Sequence, residues 1–293
     1  MSVTEQEIRD EEIIAFLDII KVHSIYDFTD YALKSLKRRI AKILSENKLT
    51  IDQLGKEILI NPKFMEQVVM SITVNTTELF RDPAIWKNIR DNILPNFEQN
   101  NKITIWHAGC STGQEVYSMM MILEEMELLS KSEIYASDIN SGVLETAKTG
   151  KYKYLFNQSY IDNFNLVMSG TEDLSPDQPN TLQPKYFSID KVSDSIQMKS
   201  SLTDKPEYKK IDLVKDEDLF SIKFDLIICR NVIIYFNYKL QNKIFKLFYE
   251  NLLNDGCLLL GLHESIIGPY ANQFERKHQA YFKKKNSNFN TLN

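Results

Sequence analysis

The sequence predicts an α/β protein in which a doubly wound parallel sheet follows an all-helical segment. Three features of the 293-residue chain support this fold class. From Lys102 onward, short apolar runs alternate with stretches of helical periodicity, which is typical of a parallel sheet with crossover helices. A glycine turn joins the first apolar run to the first of these helices. Before it, about the first 70 residues show helical periodicity alone.

The helical segment contains helix-start signals and an apolar face. Thr50 and Gln53 have the spacing of a capping box, and Asn61 precedes a proline at the first helical position. Between residues 31 and 47 the apolar residues fall on one helical face, which predicts a helix packed against others. The residues of that face are Leu33, Leu36, Ile40, Ile43 and Leu44.

In the α/β part, four apolar runs predict strands, and the segments between them predict helices. The strand-like runs are KITIWHA (102–108), SEIYAS (132–137), FDLIICR (224–230) and GCLLLGLH (256–263). The helices are expected from Gly113 to about Leu129, from Ser141 to Thr149 and from Tyr238 to Leu253.

The remaining segments predict irregular or small β structure. Residues 170–184 are rich in Pro, Asp and Asn, so they predict a loop. Residues 185–213 resemble short strands with turns, outside the main sheet. Residues 272–285 predict a closing antiparallel hairpin that turns at Lys277–His278, and residues 286–293 predict a frayed end.

Composition excludes several classes of protein. Hydrophobic residues make up 43% of the chain and charged residues 26%, as in ordinary globular proteins. The net charge of −5 argues against a nucleic-acid partner. The chain has no apolar run near the ~18 residues of a membrane span, and its acidic start is unlike a signal peptide. We therefore expect a cytoplasmic protein without membrane insertion.

Cysteine usage points in the same direction. The three cysteines, Cys110, Cys229 and Cys257, are widely scattered. Reduced thiols are therefore expected rather than a disulfide framework or a zinc cluster, and no metal site is predicted.

The glycine turn, AGCSTGQE (108–115), discriminates between three nucleotide ligands. A phosphate-binding P-loop needs Lys and then Ser or Thr after its last glycine, whereas Gly113 is followed by Gln114 and Glu115, whose charge would repel a triphosphate. A dinucleotide-binding fingerprint has three glycines, whereas this turn has only two, Gly109 and Gly113. S-adenosyl-L-methionine has no phosphate and carries an ammonium group, with which Glu115 can pair. The turn therefore predicts this cofactor.

A second acid, Asp138, ends the next strand-like run. In doubly wound nucleotide folds a carboxylate at this place accepts hydrogen bonds from both ribose hydroxyls. The alternative is a plain helix cap ahead of Ser141. The spacing between Asp138 and the glycine turn favours the ribose role.

Five sequence blocks, in the same order, resemble the chemoreceptor glutamate methyltransferases, the CheR family. They are SITVNTTELFRDP, IWHAGCSTGQEVYS, ASDINSGVLETAKTGKY, FDLIICRNVIIYF and GCLLLGLHESIIG. The resemblance extends from about Ile13 to Lys284. It implies a class I methyltransferase sheet, an N-terminal helical substrate-docking domain (1–72) and a methyltransferase domain (73–293) with a small antiparallel β subdomain inserted at about 182–212.

The family transfers a methyl group from S-adenosyl-L-methionine to receptor glutamates, giving glutamate methyl esters and S-adenosyl-L-homocysteine. A glutamate is already ionised at neutral pH, so no general base is expected. Arg81 and Tyr235 are the expected catalytic residues, because both can align a carboxylate for in-line displacement. The cofactor-binding residues that the resemblance implies are Asn75, Thr77, Arg81, Gly109, Glu115, Asp138, Asp212, Leu213, Arg230 and Asn231.

The chain departs from the family pattern at four places. It reads TVNTT where members usually read TTNET, which keeps Asn75 and Thr77. It reads GQEVYS where members usually read GEEPYS, although the ligand-facing acid remains as Glu115. Asp212 stands where Asn is usual, so it lacks a donor and is the contact least safe to transfer. Residues 186–213 contain no glycine, whereas members that bind a receptor's C-terminal pentapeptide tend to have a glycine-rich turn there. Tight binding of such a pentapeptide is therefore not expected.

One helix combines five cations with no acid between Tyr31 and Ser45. In an acidic chain this predicts a docking face for the Glu-rich cytoplasmic coiled coil of chemoreceptors, with a solvated charged face as the alternative. The family implies a monomer. The predicted docking residues are Lys34, Lys37, Arg38, Arg39 and Lys42.

Two other functions stay open: a non-catalytic S-adenosyl-L-methionine-binding signalling or scaffold protein, and a methyltransferase acting on another substrate class. Residues outside the motifs have simpler interpretations. His107 and the run of Met119–Met121 predict core packing, and the His263–Glu264 pair predicts hydrogen bonding at a strand end.

Overall fold

The computed structural model describes residues 8–73, 75–168, 182–216 and 219–284. The chain divides into two compact units. The first, called the helical unit below, comprises Met1–Val74 and Val232–Ile244, and the second, the sheet unit, comprises Asn75–Asn231 and Phe245–Asn293. The sequence placed the boundary at residue 72 but did not assign 232–244 to the helical part. The predicted frayed end lies outside the described residues.

Within the described residues, the helical unit contains four complete α-helices. The predicted capping contacts are present at the starts of two of them. Thr50 and Gln53 form a reciprocal capping box, and the Asn61 side chain accepts from the Phe64 N–H ahead of Pro62. These contacts confirm both predicted helix starts. The helices are α1 (Asp10–His23), α2 (Leu33–Asn47), α3 (Ile51–Ile60) and α4 (Pro62–Ile72).

The remaining helices are shorter on average, and the last of them begins in the helical unit. They are α5 (Pro83–Asn88), α6 (Gln114–Glu125), α7 (Ser141–Thr149), α8 (Ser159–Met168), α9 (Gln183–Tyr186), α10 (Ser200–Thr203) and α11 (Tyr238–Asn251). A π-helical turn, Ile89–Ile93, and 3-10 turns supplement them: Leu94–Phe97, Leu129–Lys131, Ile233–Tyr235 and Ala271–Gln273. Within the predicted loop 170–184, the residues before 182 lie outside the described part, and α9 begins at Gln183.

The strands of the described residues form two sheets. They are β1 (Ile103–Ala108), β2 (Ser132–Asp138), β3 (Lys151–Tyr152), β4 (Phe187–Asp190), β5 (Ser195–Met198), β6 (Glu207–Lys210), β7 (Phe224–Cys229), β8 (Leu252–Leu260), β9 (Phe274–Lys277) and β10 (Ala280–Lys283). The main sheet has the order β6-β2-β1-β7-β8-β10-β9. The small sheet has the order β3-β5-β4.

The main sheet has the doubly wound topology that the sequence predicts. Strands β6, β2, β1, β7 and β8 are parallel to their neighbours, while β10 is antiparallel to both β8 and β9. The chain order reverses at β1, whose neighbours β2 and β7 lie on opposite sides. Such a switch point leaves a crevice at the carboxyl ends of the strands, where ligands of these folds bind.

The small sheet differs from the range 182–212 predicted for the β subdomain. Strand β3 (Lys151–Tyr152) lies outside the predicted range, yet it belongs to the small sheet because it pairs antiparallel with β5. Strand β6, inside the predicted range, pairs in parallel with β2 and extends the main sheet. A four-residue strand without strong alternation does not reveal which sheet it joins, because its partner is distant in sequence.

The core of the sheet unit fills both faces of the main sheet. Every residue of β1 and of β7 is buried, as expected for parallel strands covered by helices. Met119, Met120 and Met121 are fully buried, so the Met run is core packing as predicted. The three cysteines are buried free thiols. No helix within the described residues is long and apolar enough to cross a membrane.

Candidate active site

The glycine turn between β1 and α6 is held in a left-handed conformation. Gly109, Ser111 and Gly113 all have positive φ, at 78°, 50° and 89°. The N–H groups of Gly109 and Cys110 donate to the Ser137 carbonyl at 2.8 and 2.9 Å, which ties the turn to the end of β2. Glycine is required at Gly113 in particular, because a Cβ there would lie 2.8 Å from the Ala147 Cβ.

Asp138, at the end of β2, accepts a hydrogen bond from the backbone of the glycine turn. Its Oδ2 accepts from the Ser111 N–H at 2.9 Å and its Oδ1 from the Asn140 N–H at 3.0 Å. Burial raises the pKa of Asp138, and these backbone N–H groups oppose that rise. An ionised carboxylate has about four acceptor positions, so capacity for further donors remains.

The alternative interpretation of Asp138 as a helix cap is wrong. Helix α7 is capped instead by Asn140, whose Oδ1 accepts from the Gly142 N–H at 2.9 Å. The Ser111 Oγ, which is buried in the same turn, has no hydrogen-bond partner within the described residues. A buried hydroxyl left unsatisfied by the chain at this edge is consistent with a polar ligand there.

Glu115, in the first turn of α6, belongs to a partly buried cluster of charged groups. Its Oε1 lies 3.2 Å from the His107 Nδ1, and its Oε2 accepts from the Arg230 Nη1 at 3.2 Å. Arg230 Nη2 also donates to the Asp82 Oδ2 at 2.8 Å. Besides His107, this cluster contains two carboxylates, Glu115 and Asp82, and one guanidinium, Arg230. The cluster therefore suits a cationic ligand.

The expected pairing of Glu115 with an ammonium group alone is too simple. Burial raises the pKa of Glu115, but the His107 hydrogen bond and the Arg230 charge outweigh it, so its pKa lies below the ordinary value. Glu115 is therefore an ionised group that His107 and Arg230 already hold. An ammonium group would be a third partner for this carboxylate.

Arg230 and Asn231 follow β7 at the same sheet edge. The Arg230 side chain is only 2% exposed, and its Nε has no partner within the described residues. Asn231 adopts a left-handed φ of 60°, and its N–H donates to the Glu264 Oε2 at 2.8 Å. Glu264 also accepts from the Gly261 N–H at the end of β8, which confirms the strand-end hydrogen-bonding role. Its neighbour His263 is exposed.

The first motif lies in the segment between α4 and α5. The Thr77 carbonyl accepts from the Tyr160 hydroxyl at 3.2 Å, and Tyr160 in turn accepts from Gln114 Nε2 at 2.8 Å. The Arg81 carbonyl accepts from Arg230 Nη2 at 3.1 Å, while the half-buried Arg81 side chain donates to the Thr76 carbonyl at 3.4 Å. Asp82 forms an ion pair with Arg230 at 2.8 Å.

Asp212 and Leu213 follow β6, the strand next to β2. The Ile211 N–H donates to the Asp138 carbonyl at 3.1 Å, which places this segment beside the end of β2. Asp212 Oδ1 accepts from the Val214 N–H at 2.8 Å, and Leu213 is 9% exposed. Asn75 is half-buried at the start of the sheet unit. Which of these residues contacts a cofactor stays a prediction.

Tyr235 belongs to the helical unit, although its motif begins with Arg230 and Asn231 in the sheet unit. Its carbonyl accepts from the Ala32 N–H at 2.8 Å, just before α2. Tyr31 and Phe236 form an isolated antiparallel bridge beside it. The sequence did not show that this motif is shared by two units, because its residues are contiguous along the chain.

The prediction that Arg39 is a docking residue is wrong. Arg39 is 7% exposed, because its guanidinium lies inside the helical unit rather than on the basic face. Lys34 and Arg38 are exposed, as the prediction requires. Lys37 pairs with Asp10 at 3.3 Å and Lys42 with Glu46 at 3.7 Å, both as exposed ion pairs of small energy.

Sequence reasoning missed two members of the charged cluster. His107 was expected to pack, yet its Nδ1 contacts Glu115 and its Nε2 has no partner within the described residues. Asp82 was not among the predicted site residues. The available signal was position: His107 lies two residues before the glycine turn, and Asp82 precedes the proline that starts α5.

The residues present fit S-adenosyl-L-methionine better than a phosphate-bearing nucleotide. The cluster around Glu115 lies where a phosphate would need donors, so it disfavours an anion. Asp138 and the unpartnered Ser111 Oγ offer polar contacts beside the turn. Among the described residues, no group of three or more His, Cys, Asp or Glu side chains could hold a metal ion.

Comparisons with known proteins agree with this geometry. The family model described as "CheR methyltransferase, SAM binding domain" matches residues 75–161 and 171–282. A relative from Pseudomonas putida, named "Putative methyltransferase Cher3", is 35% identical over 96% of this chain and 100% of its own length. Proteins named "Chemotaxis protein methyltransferase" are similar as well. That of Borreliella burgdorferi is 34% identical over 69% of this chain and 68% of its own, and that of Listeria monocytogenes is 25% identical over 89% and 92%.

Proposed function

Because this chain belongs to the CheR methyltransferase family, we propose that it methylates glutamate side chains of chemoreceptors. It is an S-adenosyl-L-methionine-dependent methyltransferase of a chemotaxis family. The products of the proposed reaction are glutamate methyl esters and S-adenosyl-L-homocysteine. The observation that carries the proposal is the cluster of Glu115, Arg230 and Asp82 beside Asp138, at the switch point of the sheet.

The chain's residues have separate tasks in binding. When bound, S-adenosyl-L-methionine supplies an activated methyl group on a sulfonium. Asp138 is proposed to accept from the ribose hydroxyls, since both of its oxygens are already oriented by backbone N–H groups. The cluster around Glu115 is proposed to favour the positive charge. The backbone of the glycine turn allows close approach.

No residue needs to remove a proton from the acceptor, because a glutamate is ionised at neutral pH. The chain must instead orient the carboxylate and exclude water from it. We assign orientation to Arg81, whose guanidinium can donate to both oxygens of a carboxylate. We assign a second directed donor to Tyr235, through its side-chain hydroxyl.

The proposed partner is an acidic, Glu-rich coiled coil of a chemoreceptor. Exposed Lys34 and Arg38 on α2, together with Lys37 and Lys42, supply positive charge complementary to it. Glutamates on such a coiled coil are at once the substrate and the source of attraction. We further propose that the chain acts as a monomer in the cytoplasm.

Labelled methyl transfer tests the function directly. The purified chain is incubated with methyl-tritiated S-adenosyl-L-methionine and receptor-enriched membranes, and base-labile methanol release is measured. We expect label in receptor bands that alkali removes, since esters hydrolyse in base while methylated amines do not. Tyr235→Phe should lower the rate, and the exposed control Lys63→Gln should not.

Other outcomes identify the alternatives. Cofactor binding without any transfer would support a signalling or scaffold protein. Label recovered in a small molecule other than the cofactor, with none in protein, would support another substrate class. Either result would contradict the proposal.

A further inference from the structure

The helical unit holds Tyr235 by its backbone on both sides. The Ala32 N–H donates to the Tyr235 carbonyl at 2.8 Å, and the Asn237 N–H donates to the Asp30 carbonyl at 2.9 Å. The Asn237 side chain also contacts Asp30 Oδ1 at 3.1 Å. These contacts fix the main chain of the turn Ile233–Tyr235, but they leave the direction of the Tyr235 ring undetermined.

Arg39 contacts the Tyr235 ring, which the backbone hydrogen bonds do not hold. Its Cζ lies 4.5 Å from the centroid of the Tyr235 ring, the geometry of a cation–π interaction. Its Nη2 donates to Ser35 Oγ at 3.0 Å, and its Nη1 donates to the Ile72 carbonyl. The guanidinium is therefore clamped at both ends of its fork while its face covers the ring.

Burying the charged Arg39 side chain lowers the stability of the folded state. Burial lowers the pKa of Arg39, and the charges that act on it include no carboxylate within the described residues. A buried cation without an acid partner is commonly less stable than an apolar side chain of similar volume. The Ile72 carbonyl at the end of α4 and the Tyr235 ring only partly replace the lost hydration. Stability alone therefore does not account for an arginine at this position.

We propose that Arg39 is a positioning residue, which holds the Tyr235 ring in the orientation needed for methyl transfer. The inference rests on the proposed function in one respect, namely the role of the Tyr235 hydroxyl. Arg39 also donates to the Ile72 carbonyl, which holds its guanidinium against the end of α4 within the helical unit.

Kinetics with receptor-enriched membranes test the positioning role. Arg39→Gln removes the cation, and we expect kcat to fall roughly 10- to 100-fold, as for misplaced catalytic groups. The KM for S-adenosyl-L-methionine should stay within about twofold, because the cofactor residues on the strand ends are untouched. Arg39→Lys keeps a cation for the ring but loses the planar fork, so its kcat should be intermediate.

A double-mutant cycle separates positioning from general damage to the fold. If Arg39 acts through the ring, Arg39→Gln should change kcat by less than about twofold in a Tyr235→Ala background. Lys63→Gln, which removes an exposed cation from the same unit, should leave the wild-type rate unchanged. An equal loss of kcat from Arg39→Gln in both backgrounds would overturn the proposal.

A spectroscopic measurement keeps the inference independent of the enzyme assay. With 3-fluorotyrosine in place of Tyr235, the ¹⁹F resonance reports the charge above the ring. It should shift or broaden in Arg39→Gln, shift less in Arg39→Lys and stay unchanged in Lys63→Gln. Such a response in a chain that transfers no methyl group would refute the proposed function while leaving the contact intact. An unchanged resonance in folded Arg39→Gln would refute the positioning role itself.

Discussion

Gly113 combines a cofactor turn with a packing contact between two helices. Its φ of 89° is in the left-handed region, and its missing side chain lets α6 approach α7 at Ala147. Gly55 is a useful contrast, because a Cβ there would meet only the flexible end of Ile19, at 3.3 Å. The two glycines therefore separate conformational strain from the general effect of adding a methyl group.

Gly113→Ala should destabilise the protein by about 2–5 kcal/mol. A left-handed conformation costs a residue with a Cβ about 1–2 kcal/mol, and overpacking against Ala147 adds about 1–3. Gly55→Ala should lie within about 1 kcal/mol of wild type, since alanine favours the helix interior. Urea unfolding monitored by circular dichroism measures both. Equal losses for the two variants would contradict the strain argument.

Glu115 predicts a specific dependence of stability on pH. Burial raises its pKa, but His107 and Arg230 bring the net value below that of a free glutamate. The folded state therefore binds the proton less well than the unfolded state. The resulting stabilisation is present above the ordinary pKa of about 4.3 and disappears as the pH falls through the lower folded value.

Glu115→Gln should therefore cost about 1–3 kcal/mol at pH 7 and progressively less below pH 4. The comparison is made by urea unfolding at several pH values, with Glu145→Gln as the control. Glu145 is 70% exposed in a surface pair with Lys148, so its replacement should cost under about 0.5 kcal/mol at every pH. A pH-independent cost for Glu115→Gln would show that its charge is not stabilised by the cluster.

At the scale of single elements, α2 has two functional faces rather than one. Its inward face includes Leu36 and Ile40, and Arg39 extends from it to Tyr235. Its outward face presents Lys34 and Arg38. Substitutions on the outward face therefore test docking without disturbing the contact to Tyr235.

Reversing the outward charges should weaken protein methylation selectively. Lys34→Glu with Arg38→Glu should raise the KM for receptor membranes roughly tenfold or more, with an effect that shrinks at high salt. The cofactor affinity, measured by calorimetry, should not change. Lys56→Glu with Lys63→Glu makes the same change in net charge on α3 and α4 and should have little effect. Equal loss in both pairs would indicate a response to net charge, not a docking face.

The turn of the small sheet between β4 and β5 closes without glycine. Asp190 Oδ1 accepts from the Val192 and Ser193 N–H groups at 2.9 and 3.2 Å, and Asp194 adopts a φ of 49°. We expect no tight binding of a receptor C-terminal pentapeptide to this subdomain. Titration of a fluorescent pentapeptide should show no saturation at micromolar concentration, and saturable micromolar binding would contradict the expectation.

At the scale of the whole molecule, cofactor binding should stabilise the folded chain. A ligand that binds only the native state at 100 times its dissociation constant adds about 2.7 kcal/mol. We expect S-adenosyl-L-methionine and S-adenosyl-L-homocysteine to raise the melting temperature, and ATP and NAD to leave it unchanged. Asp138→Asn should reduce the shift, because one amide oxygen cannot replace both carboxylate oxygens. Stabilisation by ATP alone would exclude the proposed cofactor.

Local patterns in the sequence predicted much of the architecture. The starts of α3 and α4, the four apolar strands and the closing hairpin follow from contacts within a few residues, and the structure confirms them. The strand that joins the small sheet at Lys151–Tyr152 was missed, since its partner in β5 lies far along the chain. Pairing between distant strands leaves little trace in either strand alone.

The candidate site was predictable to the extent that its residues follow strands. Glu115, Asp138 and the glycine turn were predicted because parallel strands bring their carboxyl ends to one edge, whereas Arg230 was predicted only from the family resemblance. The charge state of Glu115 was not, because it depends on Arg230, 115 residues away. The interpretation of Arg39 failed for the same reason.

The family, the cofactor and the alternation of strands and helices can be derived from residue order, since short-range periodicity and contiguous motifs encode them. The burial of Arg39, the division of the RNVIIYF motif between two units and the membership of β6 in the main sheet cannot. These features depend on which distant surfaces exclude water together. Free energies of that kind arise from packing in three dimensions, and a one-dimensional pattern contains them only implicitly.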